Sequence, residues 1–183
     1  MRNKFFYNFD FESFHHMVSN VDETVKVFNE LYRIRWRLNE YDEIKFFLEN
    51  NNIRIDKRKQ ILLQFIASFE EDVSSYTIAI AFFLMQEKVF HKLGYFINIL
   101  KMYYAEKADL IMVEVISRYP ISDESLEPYK QKLEAMYQKK VEYIRKRRES
   151  LLGGFKLRWH VGEIDLTVKR KLSDMKKQIE QGR

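Results

Sequence analysis

Residues 151–159 read LLGGFKLRW and place Gly153 and Gly154 directly before an alternation of apolar and basic residues. Such alternation predicts a half-buried β-strand. A phosphate-binding loop would need converging backbone N–H groups with a helix directly after them, whereas here a strand follows. The large apolar residues on both sides exclude a flexible linker, and Leu151, Leu152 and Phe155 are expected to turn inward. We therefore expect the pair to be structural: where the chain enters the strand, the backbone needs a positive φ or has no room for a Cβ.

The first 108 residues have the 3–4 spacing of apolar residues that predicts amphipathic helices, and no proline interrupts them. Asp22 and Asp56 are the expected N-caps of two of these helices. Residues 74–86 are apolar on nearly every side, which predicts a central buried helix. The pattern predicts a compact bundle of five to six helices, over residues 11–20, 21–38, 41–50, 57–66, 74–86 and 91–108.

A different pattern begins after Ala108. Runs rich in β-branched or alternating apolar residues now surround a single helix, and Thr167 is the expected cap of a last helix. The order is β-α-β-β-α, so a mainly α chain divides into a helical bundle over 1–108 and a small α/β domain over 109–183. The expected elements are strands at 110–119, 140–146 and 155–159 and a helix at 122–138.

The two helices of the second domain carry apolar stripes. In the last helix the stripe steps by 4, 3 and 4 residues, which is the spacing of a seam for a core or for a partner helix. The stripe residues are Leu126, Leu133, Met136 and Tyr137 in the first helix, all expected to face inward, and Val168, Leu172, Met175 and Ile179 in the last.

Charge is distributed unevenly along the chain. The net charge of +5 divides into −4 for residues 1–128 and +9 for residues 129–183. A basic C-terminal third is typical of proteins that bind an acidic partner, a nucleic acid or a membrane surface. It can also be an ordinary solvated face. The longest strongly apolar stretch, residues 76–85, has ten residues, whereas a spanning helix needs about 20, so no direct membrane insertion is expected. The N-terminus does not resemble a signal peptide, and an intracellular soluble protein is expected.

No catalytic, cofactor or metal site can be assembled from the residues. The chain has no cysteine, which excludes disulfides and thiolate chemistry, and its four histidines lack ligand spacing. No nucleophile motif is present. The basic run over 139–150 could contact an RNA backbone, but only Tyr143 is placed to stack on a base. Two hypotheses therefore stay open at this point, a nucleic-acid-binding module and an enzyme with an unrecognised site.

Three segments resemble the signature regions of the ATP synthase delta subunit family, which includes the mitochondrial oligomycin-sensitivity-conferring protein. They are VEVISRYPIS at 113–122, LLGGFKLRW at 151–159 and EIDLTVKRKL at 163–172. The Gly-Gly-Phe, the Ile-Asp pair and the Thr-x-x-Arg helix start follow the family order. The resemblance is specific over residues 110–181 and weaker over 20–109. The chain departs from the family pattern in its aromatic opening, FFYNFDFESFHHMVSN, and in the position of the hairpin glycine, Gly162.

The resemblance implies a non-catalytic stator connector of a rotary ATP synthase, without a cofactor. In this family the helical domain binds N-terminal segments of the α subunits of the catalytic head, and the C-terminal domain binds the b subunit of the peripheral stalk. It implies a peripheral location at the cytoplasmic face of a bacterial plasma membrane, within the complex. The alternative is a basic nucleic-acid-binding two-domain module. The candidate structural or interface residues are Leu151, Leu152, Gly153, Gly154, Phe155, Asp165, Thr167 and Leu172.

Overall fold

The computed structural model of the chain describes residue 6 and residues 8–18, 20–69 and 72–181. The chain divides into two compact units, Met1–Tyr104 and Ala105–Arg183. The predicted fold class is confirmed, because helices occupy the first unit and a small sheet with helices forms the second. The assignment of a separate partner to each unit stays a prediction.

Unit 1 is helical throughout its regular structure. Before the first helix, Phe6 is buried, and the half-buried Phe9 ring lies 5.2 Å from that of Phe83 and 4.9 Å from that of Phe96. These two aromatic residues of the unusual opening are thus part of the packed bundle. The helices are α1 (Phe11–Met17), α2 (Val21–Leu38), α3 (Asp42–Glu49), α4 (Ile55–Ala67), α5 (Ser75–Gln86) and α6 (Leu93–Lys107), with a 3-10 turn at Phe90–Lys92.

Two helix starts differ from the sequence prediction. The N-cap of α2 is Asn20, whose extended backbone lets its side-chain oxygen accept the N–H of Asp22 at 2.9 Å. Asp22 is already helical and cannot be the cap. Helix α4 begins at Ile55 after Arg54, which makes no side-chain cap, so Asp56 lies within the first turn. There its carboxylate still complements the positive end of the helix dipole.

The sequence predicted that helix α5 is buried on nearly every side. In the structure only one face of the helix is buried. Ile80 and Leu84 are buried, whereas Ala79 is exposed and Phe82 is half-buried. Part of the outer face is covered by a long side chain from a neighbouring helix. The ammonium group of Lys59 lies 4.9 Å from the centre of the Phe82 ring.

Unit 2 contains a four-stranded sheet in the order β2-β1-β3-β4. Strands β1 and β2 are parallel, and the other neighbours are antiparallel. The prediction of β-α-β-β-α omitted β4. Residues 162–167 pair with β3 along their whole length, and only His160 and Val161 form the turn. The elements are β1 (Leu110–Ser117), α7 (Asp123–Tyr137), β2 (Lys140–Arg147), β3 (Gly154–Trp159), β4 (Gly162–Thr167) and α8 (Val168–Gln181).

The core of unit 2 lies between α7 and one face of the sheet. Leu126 and Leu133 are buried as predicted, and the Tyr137 hydroxyl accepts the Trp159 indole N–H at 3.2 Å. Met136 is exposed, which corrects its predicted inward orientation. Its side chain projects about 60–100° around the helix axis from the others, to one side of the inward stripe. The core residues are Val113, Val115, Leu126, Leu133, Val141 and Leu157.

Gln138 closes α7 in a left-handed conformation, with φ 55° and ψ 33°. Because glycine adopts this conformation without strain, Gln138→Gly should raise the free energy of unfolding by about 1 kcal/mol. Chemical denaturation monitored by circular dichroism measures the change. Gln131→Gly is the matched control, since Gln131 lies inside the same helix and also makes an exposed side-chain hydrogen bond. It should lower stability by about 1 kcal/mol, and equal effects of the two substitutions would contradict the prediction.

Candidate partner-binding surface

Helix α8 presents an apolar stripe that the described residues of its unit leave largely exposed. The stripe consists of Val168, Leu172, Met175 and Ile179, whose side chains are 40–68% exposed. No residue of α8 from Val168 to Glu180 is buried, and only Asp174 is half-buried. The stripe is therefore not part of the described core, and its use as a seam for a partner helix stays a prediction. An exposed apolar face of this kind is a candidate interaction site.

The paired glycines lie where β3 begins, next to the first residue of α8. Gly154 has φ +73°, and a Cβ there would lie 2.3 Å from the carbonyl oxygen of Leu166 on β4. Gly153 is less constrained, since its Cβ would lie 3.2 Å from a side-chain methyl group of Val168. The Val168 N–H donates to the Gly153 carbonyl at 3.1 Å. The bend at the two glycines therefore carries the chain against the first residue of α8.

The leucines before the bend do not both turn inward. Leu151 is half-buried, but Leu152 is 71% exposed, which corrects its predicted inward orientation. The positive φ of Gly154 interrupts the alternation of side chains along the strand. The inward orientation of Phe155 therefore does not predict the orientation of Leu152. Phe155 packs against the core as predicted. Because Leu152 adjoins Gly153, its exposed side chain lies at the end of the unit where α8 begins.

Asp165 and Thr167 fix the start of α8. The N–H and hydroxyl of Thr167 donate to Asp165 Oδ1 at 3.0 and 2.7 Å, and the Thr167 hydroxyl oxygen accepts the Arg170 N–H at 3.3 Å. Thr167 is thus the predicted cap. Lys156 on β3 adds an ion pair to Asp165 at 3.2 Å. These hydrogen bonds, first that of the Thr167 hydroxyl, hold the pKa of Asp165 below its ordinary value.

The lowered pKa of Asp165 predicts a pH-dependent contribution to stability. A carboxyl group whose pKa is lower when folded stabilises fully above its unfolded pKa, about 3.9, and loses this contribution as pH falls through the folded value. Asp165→Asn should therefore lower the melting temperature by a few degrees at neutral pH. The gap from the wild type should be smaller at about pH 3, below the unfolded pKa. Thermal unfolding at both pH values measures it, and a gap that does not change with pH would count against this role.

A buried carboxylate holds three strands together on the sheet face opposite α7. Glu114 of β1 is 2% exposed and accepts from Arg158 of β3 at 2.8 and 3.1 Å and from Lys146 of β2 at 2.7 Å. The alternation of β1 puts Glu114 on the opposite face from Val113 and Val115. The available signal was a glutamate enclosed by apolar residues in LIMVEVIS. Its contacts with two cations satisfy the buried charge of Glu114.

The basic run over 139–150 is largely engaged within the unit. Lys139 pairs with Asp109, and Arg145 pairs with Asp123, both at 2.5 Å. The Tyr143 hydroxyl donates to the Leu126 carbonyl at 3.0 Å, and burial raises the pKa of Tyr143 to about 12. Since this aromatic residue packs against the core, it is not available to stack on a base. The nucleic-acid alternative loses the features that supported it.

Neither a metal cluster nor a membrane span is found in the described parts of the chain. No group of three or more His, Asp or Glu side chains among these residues could hold a metal ion. Within the same ranges, no helix is long and apolar enough to cross a bilayer.

Known proteins resemble this chain along most of its length. The family description "ATP synthase delta (OSCP) subunit" matches residues 15–179. An ATP synthase subunit delta from Mycoplasmopsis synoviae is 26% identical over 167 residues, which is 91% of this chain and 89% of that protein. One from Caldanaerobacter subterraneus subsp. tengcongensis is 24% identical over 164 residues, 90% of each chain.

A solved structure shows a weaker likeness. A chain in the cryo-EM structure of the Toxoplasma gondii mitochondrial ATP synthase hexamer aligns with a TM-score of 0.43 and 13% identity, covering 92% of both chains. A TM-score of this size supports no conclusion about the protein.

Proposed function

Because the chain belongs to the ATP synthase delta (OSCP) subunit family, we propose that it links the α subunits of the catalytic head to the b subunit of the peripheral stalk. Membership makes the protein a structural subunit of a membrane-associated complex, and not an enzyme. The link would hold the head still while the rotor turns, so that ion-driven rotation is coupled to ATP synthesis. Its place would be the cytoplasmic face of a bacterial plasma membrane.

The exposed stripe of α8 is the single observation that carries this proposal. Four apolar residues at 4, 3, 4 spacing, none of them buried, form the seam of a helix that lacks its partner. A 14-residue helix is marginal in water without tertiary contacts, so a partner would also stabilise α8 itself. A long stalk helix is a suitable partner for such a seam. We assign the b subunit to this surface of unit 2.

Unit 1 is the proposed contact for the α subunits. Its support is the family membership together with the packed helical core of the unit. The aromatic opening segment is packed into this bundle through Phe9, so it takes part in shaping the surface offered to a partner.

Co-purification tests the proposal. The tagged full chain, expressed in its own host, is recovered from detergent-solubilised membranes, and mass spectrometry quantifies the bound proteins. We expect α and b subunits in stoichiometric amounts. Recovery of RNA, or of the chain without synthase subunits, would contradict the proposed function and favour the nucleic-acid alternative.

A further inference from the structure

We propose that α8 selects a partner helix with acidic residues beside its apolar seam, and that its basic borders prevent two copies of this chain from pairing through α8. This inference rests on the proposed function, in which the α8 stripe receives a stalk helix. It adds the chemistry by which that helix is recognised.

The stripe defines a heptad register. Val168, Leu172, Met175 and Ile179 occupy positions d, a, d and a. The e positions beside this seam are then Lys169 and Lys176, and the g positions are Lys171 and Gln178. The e and g positions of a coiled coil set partner choice and orientation, because their side chains lie opposite those of the other helix. Three of the four border positions of α8 are therefore lysines, and none is acidic.

The two acidic residues of α8 lie away from the seam. Asp174, at position c, pairs with Arg170 at 3.0 Å, and Glu180, at position b, lies 3.8 Å from Lys176. Among the described residues, neither Lys169 nor Lys171 makes an ion pair. The internal charges of α8 thus leave Lys169 and Lys171 available to a partner, whereas Lys176 also lies near Glu180.

Self-association through this seam is disfavoured in either orientation. A parallel pair of α8 helices would bring e and g lysines together, and an antiparallel pair would bring e to e and g to g. Like charges at these distances repel, whereas a helix with glutamate at its border positions would form ion pairs at the same places. The lysines at the e and g positions therefore favour pairing with a helix of a different chain that has acidic residues beside its own apolar seam.

An anionic membrane surface is the other partner that a basic amphipathic helix can take. Helices that lie on membranes have broad apolar faces with aromatic or other large residues, and their polar faces are rich in lysine. The stripe of α8 is confined to a and d positions and contains no aromatic residue. A stripe this narrow is typical of a coiled-coil seam. It therefore favours a protein helix over a bilayer as the partner of α8.

Two designed peptides test the selection. Both have three heptads with leucine and isoleucine at a and d, and they differ only in having glutamate or lysine at e and g. Fluorescence anisotropy measures their binding to the full chain. At 50 mM NaCl the glutamate peptide should bind about tenfold more tightly, since several ion pairs replace repulsions. At 500 mM NaCl the difference should fall to about threefold or less because salt screens the exposed charges.

Lys176→Glu and Lys177→Glu form a matched pair, since they change the net charge equally but lie at border position e and outer position f. Lys176→Glu should weaken binding of the glutamate peptide several-fold, and Lys177→Glu should have little effect. Replacing Lys169, Lys171 and Lys176 together by glutamate should reverse the preference between the two peptides. Equal binding of both peptides to the wild type would overturn the inference.

Two further results bear on the same inference. Preferential binding to phosphatidylglycerol vesicles, lost on Leu172→Asp, would overturn it in favour of a membrane surface. Self-association in sedimentation experiments that disappears with Leu172→Asp would overturn the exclusion of a second copy.

If the b subunit co-purifies but both peptides bind equally, the proposed function stands and this inference fails. If the glutamate peptide is preferred but no b subunit co-purifies, the proposed function fails and the inference stands.

Discussion

Gly154→Ala is expected to lower the free energy of unfolding of unit 2 by about 3 kcal/mol. The left-handed backbone at φ +73° costs a residue with a Cβ about 1–2 kcal/mol. The added Cβ would also lie 2.3 Å from the Leu166 carbonyl oxygen and 3.0 Å from the Cα of Thr167. Both are backbone atoms of the paired strand, so β4 would have to move. A domain of this size has only about 5 kcal/mol of total stability.

Gly153→Ala provides the matched control for this prediction. Its Cβ would meet only a methyl group of Val168, at 3.2 Å, and a side chain can move aside. We expect a loss of less than about 1 kcal/mol there. Thermal unfolding of the full chain should show a transition lowered by about 10–20 °C for Gly154→Ala and by a few degrees for Gly153→Ala. Equal melting temperatures for the two variants would mean that Gly154 is not required by the backbone.

Replacing Leu172 and Met175 by aspartate is expected to weaken binding of the b subunit about 100- to 1,000-fold. Each side chain is more than half exposed in the free chain. Burial of such a side chain in an interface contributes about 1.5–3 kcal/mol, and the new carboxylates would have to be desolvated against the partner. Stability of the free protein should change little, because neither side chain belongs to the core. Isothermal titration with the soluble part of the b subunit measures the affinity.

Ser173→Asp is the control for the added charge on α8. Ser173 is exposed on the same helix but lies about 130° around the axis from the stripe. Its substitution should leave the affinity within about threefold of the wild type. A comparable loss of affinity for Ser173→Asp would mean that negative charge anywhere on α8, and not the apolar seam, determines binding.

The sequence predicted the elements whose signals are local. Apolar spacing located α2 to α6 and allowed a further helix where α1 lies, and alternation located β1, β2 and β3. Strand β4 was missed because Ile164 and Leu166 stand alone among polar residues, on an edge strand that pairs on one side only. Its polar residues Glu163 and Asp165 are matched by Lys156 across the strand pair, at 2.9 and 3.2 Å. Because these ion pairs join two strands, the pattern of residues 162–167 alone does not show them.

The candidate surface was predicted only in part, for the same reason. The step of 4, 3 and 4 located the α8 seam, but a core and a partner interface require the same spacing, and only the exposure of Leu172 separates them. The ionic cluster at Glu114 depends on Lys146 and Arg158, which are distant in sequence and come together across neighbouring strands. The orientation of Leu152 depends on the φ of Gly154, which its sequence neighbours do not fix.

ATP-driven ion pumping in membranes stripped of this subunit tests the connector function most directly. The full-length wild type, the Leu172→Asp/Met175→Asp variant and Ser173→Asp are added back in turn, while pumping and ATP hydrolysis are measured together. If the chain couples head to stalk through the α8 stripe, the wild type and Ser173→Asp should restore pumping. The stripe variant should leave hydrolysis without pumping. Full restoration of pumping by the stripe variant would contradict the central claim.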